Sequence, residues 1–147
     1  MDYAEYQRFR DEQHPKCVVC SPDNPQGLGV VFHFDAEGGV EGSFACDERF
    51  QGYPATVHGG IVSALLDAAM TNCLFAHGYA AVTFELNIRF RHSVATGKPA
   101  AVRARLISSS EQIHELAAEL IQDGQVKATA KAKFLERAAA GLFGRKP

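Results

Sequence analysis

One acidic side chain, Asp67, stands in an otherwise apolar segment of this 147-residue chain. Residues 59–76 are rich in Ala and Leu and carry no other Asp, Glu, Lys or Arg. At about 100° per residue, Ser63, Asp67 and Thr71 share one side of a predicted helix, opposite a broad apolar face. Buried carboxylates are rare unless they are paired or functional. Asp67 is therefore a candidate general base or nucleophile; the alternative is a carboxylate that reaches solvent or caps a neighbouring backbone.

The predicted helix begins at a His58-Gly59-Gly60 motif. The first turn of a helix has unpaired N–H groups and a partial positive charge. Because glycine lets a substrate approach the backbone closely, such a turn can hold an oxyanion. The motif is also compatible with a tight loop-to-helix turn that has no chemical role.

The spacing of the two features implies a second copy of the chain. Gly59 and Asp67 are eight residues apart, which is about 12 Å along one helix. One carbonyl group cannot contact both, so a shared reaction needs two helices. Two antiparallel copies at a twofold interface would bring Gly59 of one subunit near Asp67 of the other.

The elements that position these residues follow from hydrophobic periodicity. A short amphipathic helix is predicted over residues 2–13, followed by an irregular connector with Pro15, Pro22, Pro25 and Gly27. The long helix at 59–77 has Gly78 as its predicted C-cap. Alternating apolar and polar residues predict six strands: 28–35, 40–47, 82–91, 100–108, 112–122 and 126–134.

A helix that is apolar nearly all round must be surrounded by protein. We therefore expect an α+β fold in which a curved antiparallel sheet of about six strands wraps one long central helix. The division expected is an N-terminal helix and connector at 1–27, the main domain at 28–137 and a flexible tail at 138–147.

The composition is that of an ordinary globular domain, with 46% hydrophobic and 22% charged residues and a net charge of −2. This balance gives no electrostatic footprint for nucleic acid. No apolar run approaches the ~20 residues of a membrane span, and the charged N-terminus does not resemble a signal peptide. We expect a cytoplasmic protein that binds neither nucleic acid nor membrane.

Cys17, Cys20, Cys46 and Cys73 are expected to be reduced thiols. His14 precedes the Cys17-Val-Val-Cys20 pair, which invites a zinc interpretation, but closed structural zinc sites need four ligands and usually two such pairs. We assign no metal ligand, and a metal or redox role for this pair stays the alternative.

The segment from Val57 to Asp67, with the sequence VHGGIVSALLD, resembles the signature of hotdog-fold acyl-CoA thioesterases of the PaaI-like type. Residues 17–28, 50–54 and 83–90 are similar to the flanking segments of that family. The resemblance spans roughly residues 17–136. It implies a hotdog fold and a homodimer or dimer of dimers with active sites at the subunit interface.

The resemblance also implies roles for individual residues. Asp67 matches the catalytic carboxylate, and Gly59 matches the residue whose N–H polarises the thioester carbonyl. His58 would position this loop, and Thr83 matches a hydroxyl that helps to hold the attacking water. Some members carry an Asn where this chain has Gly52, so we expect neighbouring Gln51 to take over its role.

The implied substrate is a fatty-acyl or aryl thioester of coenzyme A, with no cofactor beyond the coenzyme A of the substrate. Its thiolate leaves readily, so no strong general acid is required. Near the coenzyme phosphates we place a basic cluster that includes Lys98. The expected substrate-binding residues are Gly60, Gln51, Asn87, Arg89, Arg91 and His92. An ordinary polar sheet face is the alternative for the basic cluster.

Two other functions fit the same fold. A hotdog hydratase needs a His on a different motif, which the sequence lacks. A non-catalytic acyl-CoA-binding hotdog protein would bind the thioester without turnover.

Overall fold

The computed structural model describes residues 1–138. The tail predicted at 138–147 therefore lies, but for its first residue, outside the described residues. The elements are α1 (Tyr3–Gln13), β1 (Phe32–Phe34), β2 (Val40–Phe44), a 3-10 turn (Glu48–Phe50), α2 (Gly59–Ala76), β3 (Ala81–Phe90), β4 (Ala100–Ser110), β5 (Ile113–Gln122) and β6 (Gln125–Glu136).

The six strands form one antiparallel sheet in the order β1-β2-β4-β5-β6-β3. Helix α2 packs against one face of this sheet and touches all six strands. We call that face concave and the opposite face convex. One long helix wrapped by a six-stranded antiparallel sheet is the hotdog fold, which confirms the predicted architecture.

Helix α2 is the core helix of the domain. Leu65, Leu66, Met70 and Leu74 are fully buried against the sheet. By length and composition the helix is apolar enough to cross a membrane, with a mean hydropathy of 1.4, but 61% of it is buried inside the fold. Its hydrophobicity is therefore satisfied by the sheet that surrounds it.

Helix α1 covers part of α2. Asp2 and Glu5 form a reciprocal capping box at its start. Tyr6 is fully buried and donates its hydroxyl hydrogen to Oδ1 of Asn72 at 2.7 Å, and the ring of Phe9 meets Phe75 edge-on. The N-terminal helix thus contributes side chains to the same core as the sheet.

The first strand is shorter than alternation predicts. Gly29 adopts a left-handed φ of +67°, which ends regular extended structure before β1. The N–H groups of Leu28 and Val30 bond to the carbonyls of Val18 and Val19 instead of to β2. Residues 28–31 therefore join the segment that carries the Cys17–Cys20 pair to the sheet.

A bulge in β3 reverses the predicted faces of Val82 and Thr83 at the start of that strand and keeps the predicted alternation from Leu86 onward. Alternation placed Val82 and Phe84 with Leu86, and Thr83 on the other side. The register shifts between Thr83 and Glu85, so that Thr83 pairs with Phe134 and Leu86 pairs with Ala132. The side chains of Phe134 and Ala132 are both buried, so Thr83 and Leu86 lie on the same face of the sheet. Because the inserted residue reverses the alternation, Thr83 points toward the helix on the concave face.

Candidate active site

His58 closes the first turn of α2. Its Nδ1 accepts a hydrogen bond from the Gly60 N–H at 2.8 Å, and its carbonyl accepts from Ile61 and Val62. Gly59 is exposed, and its N–H has no protein acceptor among residues 1–138. A helix N-terminus with one unpaired, exposed N–H can donate to an oxygen atom of a bound molecule.

The loop before the helix is held on two sides. His58 N–H donates to the Phe50 carbonyl, and Val57 N–H donates to the Val94 carbonyl. Gly52 lies so close to His58 that an added Cβ would meet its Cδ2 at 3.2 Å. The side chain of Gln51 accepts a hydrogen bond from Ala55 N–H, so its oxygen closes a turn in this loop.

Asp67 lies in the middle of α2 and is half-buried. The Thr83 hydroxyl donates a hydrogen bond to its Oδ1 at 2.5 Å. Among the described residues, Asp67 forms no salt bridge. Burial raises the pKa of this carboxyl, while the Thr83 hydrogen bond and the charge of His14 act in the opposite direction and Cys17 adds to the increase.

The two hydroxyl side chains on the polar side of α2 form hydrogen bonds to the backbone of the same helix. Ser63 donates its hydroxyl hydrogen to the Gly59 carbonyl, and Thr71 donates to the backbone carbonyl of Asp67. Thr71 is buried. Neither hydroxyl binds the Asp67 carboxylate, so Thr83 is its side-chain partner within residues 1–138.

The exposed Gly59 N–H and the Asp67 carboxylate do not meet in one chain. Both belong to α2, so the two residues are about 12 Å apart along its axis. The arrangement supplies an oxyanion donor and a carboxylate that would serve one carbonyl only with a second chain.

An unpaired apolar sheet edge lies beside the helix start. Strand β3 is at the end of the strand order, and Phe84, Leu86 and Phe90 on it are 44%, 38% and 57% exposed. The Phe90 ring is next to Gly59, since a Cβ built there would touch it at 3.6 Å. A long apolar edge strand is a surface on which another strand can pair.

The expected substrate-binding residues on β3 lie away from Asp67. Asn87 and Arg89 pair with Lys131 and Thr129 on the convex face. With Arg91 they line a groove of about 750 Å³ on that face. The sheet thus separates these side chains from the carboxylate of their own chain.

The other members of the predicted basic cluster, Arg91, His92 and Lys98, lie at and beyond the end of β3. The backbone N–H groups of Arg91 and His92 both donate to the Lys127 carbonyl. Lys98 is ion-paired with Asp123 at 3.0 Å. The structure therefore does not gather this cluster around Asp67.

Two buried polar features were not singled out from the sequence. Asn72 lies one helical turn beyond Ala68, whose carbonyl accepts from its side-chain amide. His114 is buried between Ser109 and Glu136, with ring nitrogens at 2.7 and 3.0 Å from their oxygens. Helical periodicity for Asn72 and strand alternation for His114 predict apolar residues at these positions, and only their tertiary partners explain them.

The amino-acid sequence matches the thioesterase superfamily over residues 55–129, just over half of the chain. The matched region contains His58, Gly59, Asp67 and Thr83. No curated protein matches the chain.

Solved structures agree with this match. A thioesterase superfamily protein is 27% identical with a TM-score of 0.76; the alignment covers 80% of this chain and 61% of that longer chain. A structure from Ralstonia eutropha JMP134, described as a thioesterase candidate related to phenylacetic acid degradation, is also 27% identical. Its TM-score is 0.70, and 86% of this chain and 98% of that chain are covered.

Two more distant structures share the fold. The Escherichia coli PaaI protein from the phenylacetic acid degradation operon is 20% identical with a TM-score of 0.69, covering 74% of this chain and 80% of that chain. A Streptococcus mutans protein bound to acetyl CoA is 19% identical with a TM-score of 0.67, covering 73% and 86%. The chain shares the hotdog fold of these PaaI structures, and by its sequence match it belongs to the thioesterase superfamily.

Proposed function

We propose that this protein is an acyl-CoA thioesterase that hydrolyses a fatty-acyl or aryl thioester to the free acid and coenzyme A. The observation that carries the proposal is the hydrogen bond from Thr83 to the half-buried Asp67 carboxylate. It holds one carboxylate oxygen in place and leaves the other without a side-chain partner among residues 1–138. The superfamily match and the acetyl CoA found with the S. mutans protein support this substrate class.

In the proposed reaction, the Gly59 N–H of one subunit polarises the thioester carbonyl bound near Asp67 of its twin. Asp67 acts as general base on water, or attacks the carbonyl carbon itself. The new carbon–oxygen bond pushes electrons onto the carbonyl oxygen, where the N–H and the positive end of α2 stabilise the charge. Collapse of this intermediate breaks the carbon–sulfur bond and releases the coenzyme A thiolate. If water attacked, the free acid forms directly and the proton held by Asp67 goes to the thiolate or to solvent. If Asp67 attacked, collapse leaves a mixed anhydride on Asp67, which water hydrolyses to the free acid and the carboxylate.

The dimer is part of the proposal because Gly59 and Asp67 cannot serve one carbonyl within a single helix. Pairing of two β3 edges would cover the exposed Phe84, Leu86 and Phe90 side chains. It would also bring a partner strand next to Gly59, which Phe90 already borders. Association into a dimer of dimers is compatible with the same edge contact.

Coenzyme A phosphates need cationic partners. Within residues 1–138, Arg89 and Arg91 form no salt bridge and line the convex groove together with Arg105. We propose that they contact the phosphates of a substrate whose acyl end enters the site of the neighbouring subunit. Lys98 is less suited to this role because Asp123 already neutralises it.

The test is a thiol-release assay across aliphatic and aromatic acyl-CoAs, with wild type, Asp67→Asn and Asp123→Asn. Asp123 is an exposed matched control outside the site. We expect thiol release by wild type and the control, and a loss of about 100-fold or more in kcat for Asp67→Asn, the usual range for a general base. Binding without turnover by wild type would favour the acyl-CoA-binding alternative, and hydration of enoyl thioesters without thiol release would favour a hydratase.

A further inference from the structure

A second group of reactive side chains lies at the end of α1 and in the connector that follows it, on different elements from Gly59, Asp67 and Thr83. An imidazole nitrogen of His14 and the sulfur atoms of Cys17 and Cys20 all lie within 4.8 Å of one another. His14 is the C-cap residue of α1, and both cysteines lie in the following connector. We call these three residues the His-Cys-Cys cluster.

The donor atoms are those that zinc prefers. Zn²⁺ binds thiolate sulfur at about 2.3 Å and imidazole nitrogen at about 2.0–2.1 Å in tetrahedral sites, which places a sulfur and a nitrogen about 3.6 Å apart. The Cys20 sulfur and His14 Nδ1 are 3.9 Å apart. For this pair, a contraction of a few tenths of an ångström would reach the spacing of two zinc ligands, and the third donor atom lies within 4.8 Å of both.

The backbone around Cys17 favours a thiolate. The Val19 N–H points at the Cys17 sulfur, at 3.4 Å. Amide donors two residues beyond a cysteine stabilise negative charge on sulfur whether or not a metal is bound.

We propose that the His-Cys-Cys cluster is a three-ligand site for Zn²⁺, with the fourth position open to water or a small ligand. Cys20 is buried, whereas His14 and Cys17 are partly exposed, so an ion can enter from their side. Three protein ligands and one exchangeable position is a coordination that zinc adopts in proteins. The sequence-based expectation assigned no metal ligand and kept a metal as the alternative; the proposal takes up that alternative because the fold turns the His14 ring toward Cys20.

The position of the cluster implies that a bound ion would stabilise the fold. The His14 ring packs edge-on against Phe75 of α2, and the carbonyls of Val18 and Val19 pair with the segment that leads into β1. An ion at the cluster would join the end of α1 to this connector beside the central helix. Because it binds the folded chain, it would also raise the thermal midpoint.

The experiment is a Co²⁺ titration of the reduced, tag-free, full-length protein, followed by displacement with Zn²⁺. We expect thiolate-to-cobalt charge-transfer absorption and the visible bands of tetrahedral Co²⁺, saturating at about one ion per chain. Zn²⁺ should abolish both and raise the thermal midpoint. Absence of these bands in the wild type, or a Cys17–Cys20 disulfide that forms on mild oxidation in protein that binds no Zn²⁺, overturns the proposal.

Variants separate the cluster from the other cysteines. Cys17→Ser and His14→Gln change partly exposed side chains and should reduce bound Zn²⁺, measured by elemental analysis, to the buffer background. Cys46→Ala and Cys73→Ala remove buried thiols elsewhere and should keep one ion per folded chain. Unchanged zinc content in folded Cys17→Ser and His14→Gln protein would show that the ion is not held by this cluster.

Discussion

The hydroxyl of Thr83 on β3 donates a hydrogen bond to Oδ1 of Asp67 on α2, across 2.5 Å. The contact exists because a bulge turns Thr83 toward the helix. It joins a strand at the sheet edge to the half-buried carboxylate proposed to act on the thioester. Changes at either residue should therefore alter both the pH dependence of activity and the free energy of unfolding.

Thr83→Val should move the acid limb of the kcat/KM profile to higher pH. The Thr83 hydrogen bond lowers the pKa of Asp67 against the larger, raising effect of burial, so its loss leaves the carboxyl protonated to higher pH. Thr83→Ser keeps the donor and should keep the profile of the wild type. An acid limb that coincides in all three proteins would remove Thr83 from any effect on the reactive ionisation.

Asp67→Asn should raise the free energy of unfolding near neutral pH. Burial raises the pKa of Asp67 in the folded state, so the folded chain binds more protons than the unfolded chain between the two pKa values. Stability contributed by this group is then lost as pH rises through that window. Denaturant unfolding should give a higher free energy of unfolding for Asp67→Asn than for wild type at pH 7, and this difference should become smaller toward pH 4. The control Asp123→Asn should have a free energy of unfolding close to that of wild type at both pH values.

Gly59→Ala and Gly60→Ala should separate activity from stability. A Cβ at Gly60 would meet His58 Nδ1 at 3.0 Å, disturb the cap and cost about 1 kcal/mol. A Cβ at Gly59 meets only the Phe90 ring, at 3.6 Å, so folding should tolerate it, while a methyl group beside the N–H hinders the substrate. Thermal midpoints and kcat measured on both proteins check the contrast, which an equal loss of stability in both would contradict.

Gln122→Ala should destabilise the domain by about 1–3 kcal/mol, the usual cost of leaving buried polar groups unpaired. Gln122 is buried, donates to the carbonyls of Ala95 and Lys98 and accepts from Ala95 N–H. It thereby holds the loop that pairs with the segment before His58. Urea unfolding is the measurement, and the exposed Gln125→Ala variant is the control, expected within about 0.5 kcal/mol of wild type.

The long helix, the six strands and their antiparallel wrapping could be predicted because each rests on local periodicity. The face of Thr83 could not, since one inserted residue at the bulge reverses an alternation that is otherwise regular. Strand β1 begins later than predicted because Gly29 adopts a left-handed conformation, which alternation does not indicate. Asn72 needs Tyr6 from α1 as its partner, a contact between residues 66 positions apart.

The candidate site was predictable in part. A lone acid on an apolar helix and a His-Gly-Gly motif at its start are visible in the sequence. The placement of Arg89 on the sheet face opposite Asp67 follows from the register with β6. Whether an arginine serves the carboxylate of its own chain or of a neighbouring chain depends on how the chains assemble. The periodicity of one sequence cannot predict that pairing.

Mixing the Asp67→Asn and Gly59→Ala proteins, each expected to be impaired by itself, should restore activity if each site combines two subunits. An Asp67→Asn chain retains Gly59, and a Gly59→Ala chain retains Asp67. In a mixed dimer, one of the two sites then has both original residues, and the other has neither. After subunit exchange at equal concentrations, half of the dimers are mixed, so we expect about a quarter of the wild-type thiol-release rate. If Gly59 and Asp67 of the same chain formed the site, the mixture would show no more activity than the separate proteins, although size-exclusion chromatography of differently tagged chains would still detect the mixed dimer.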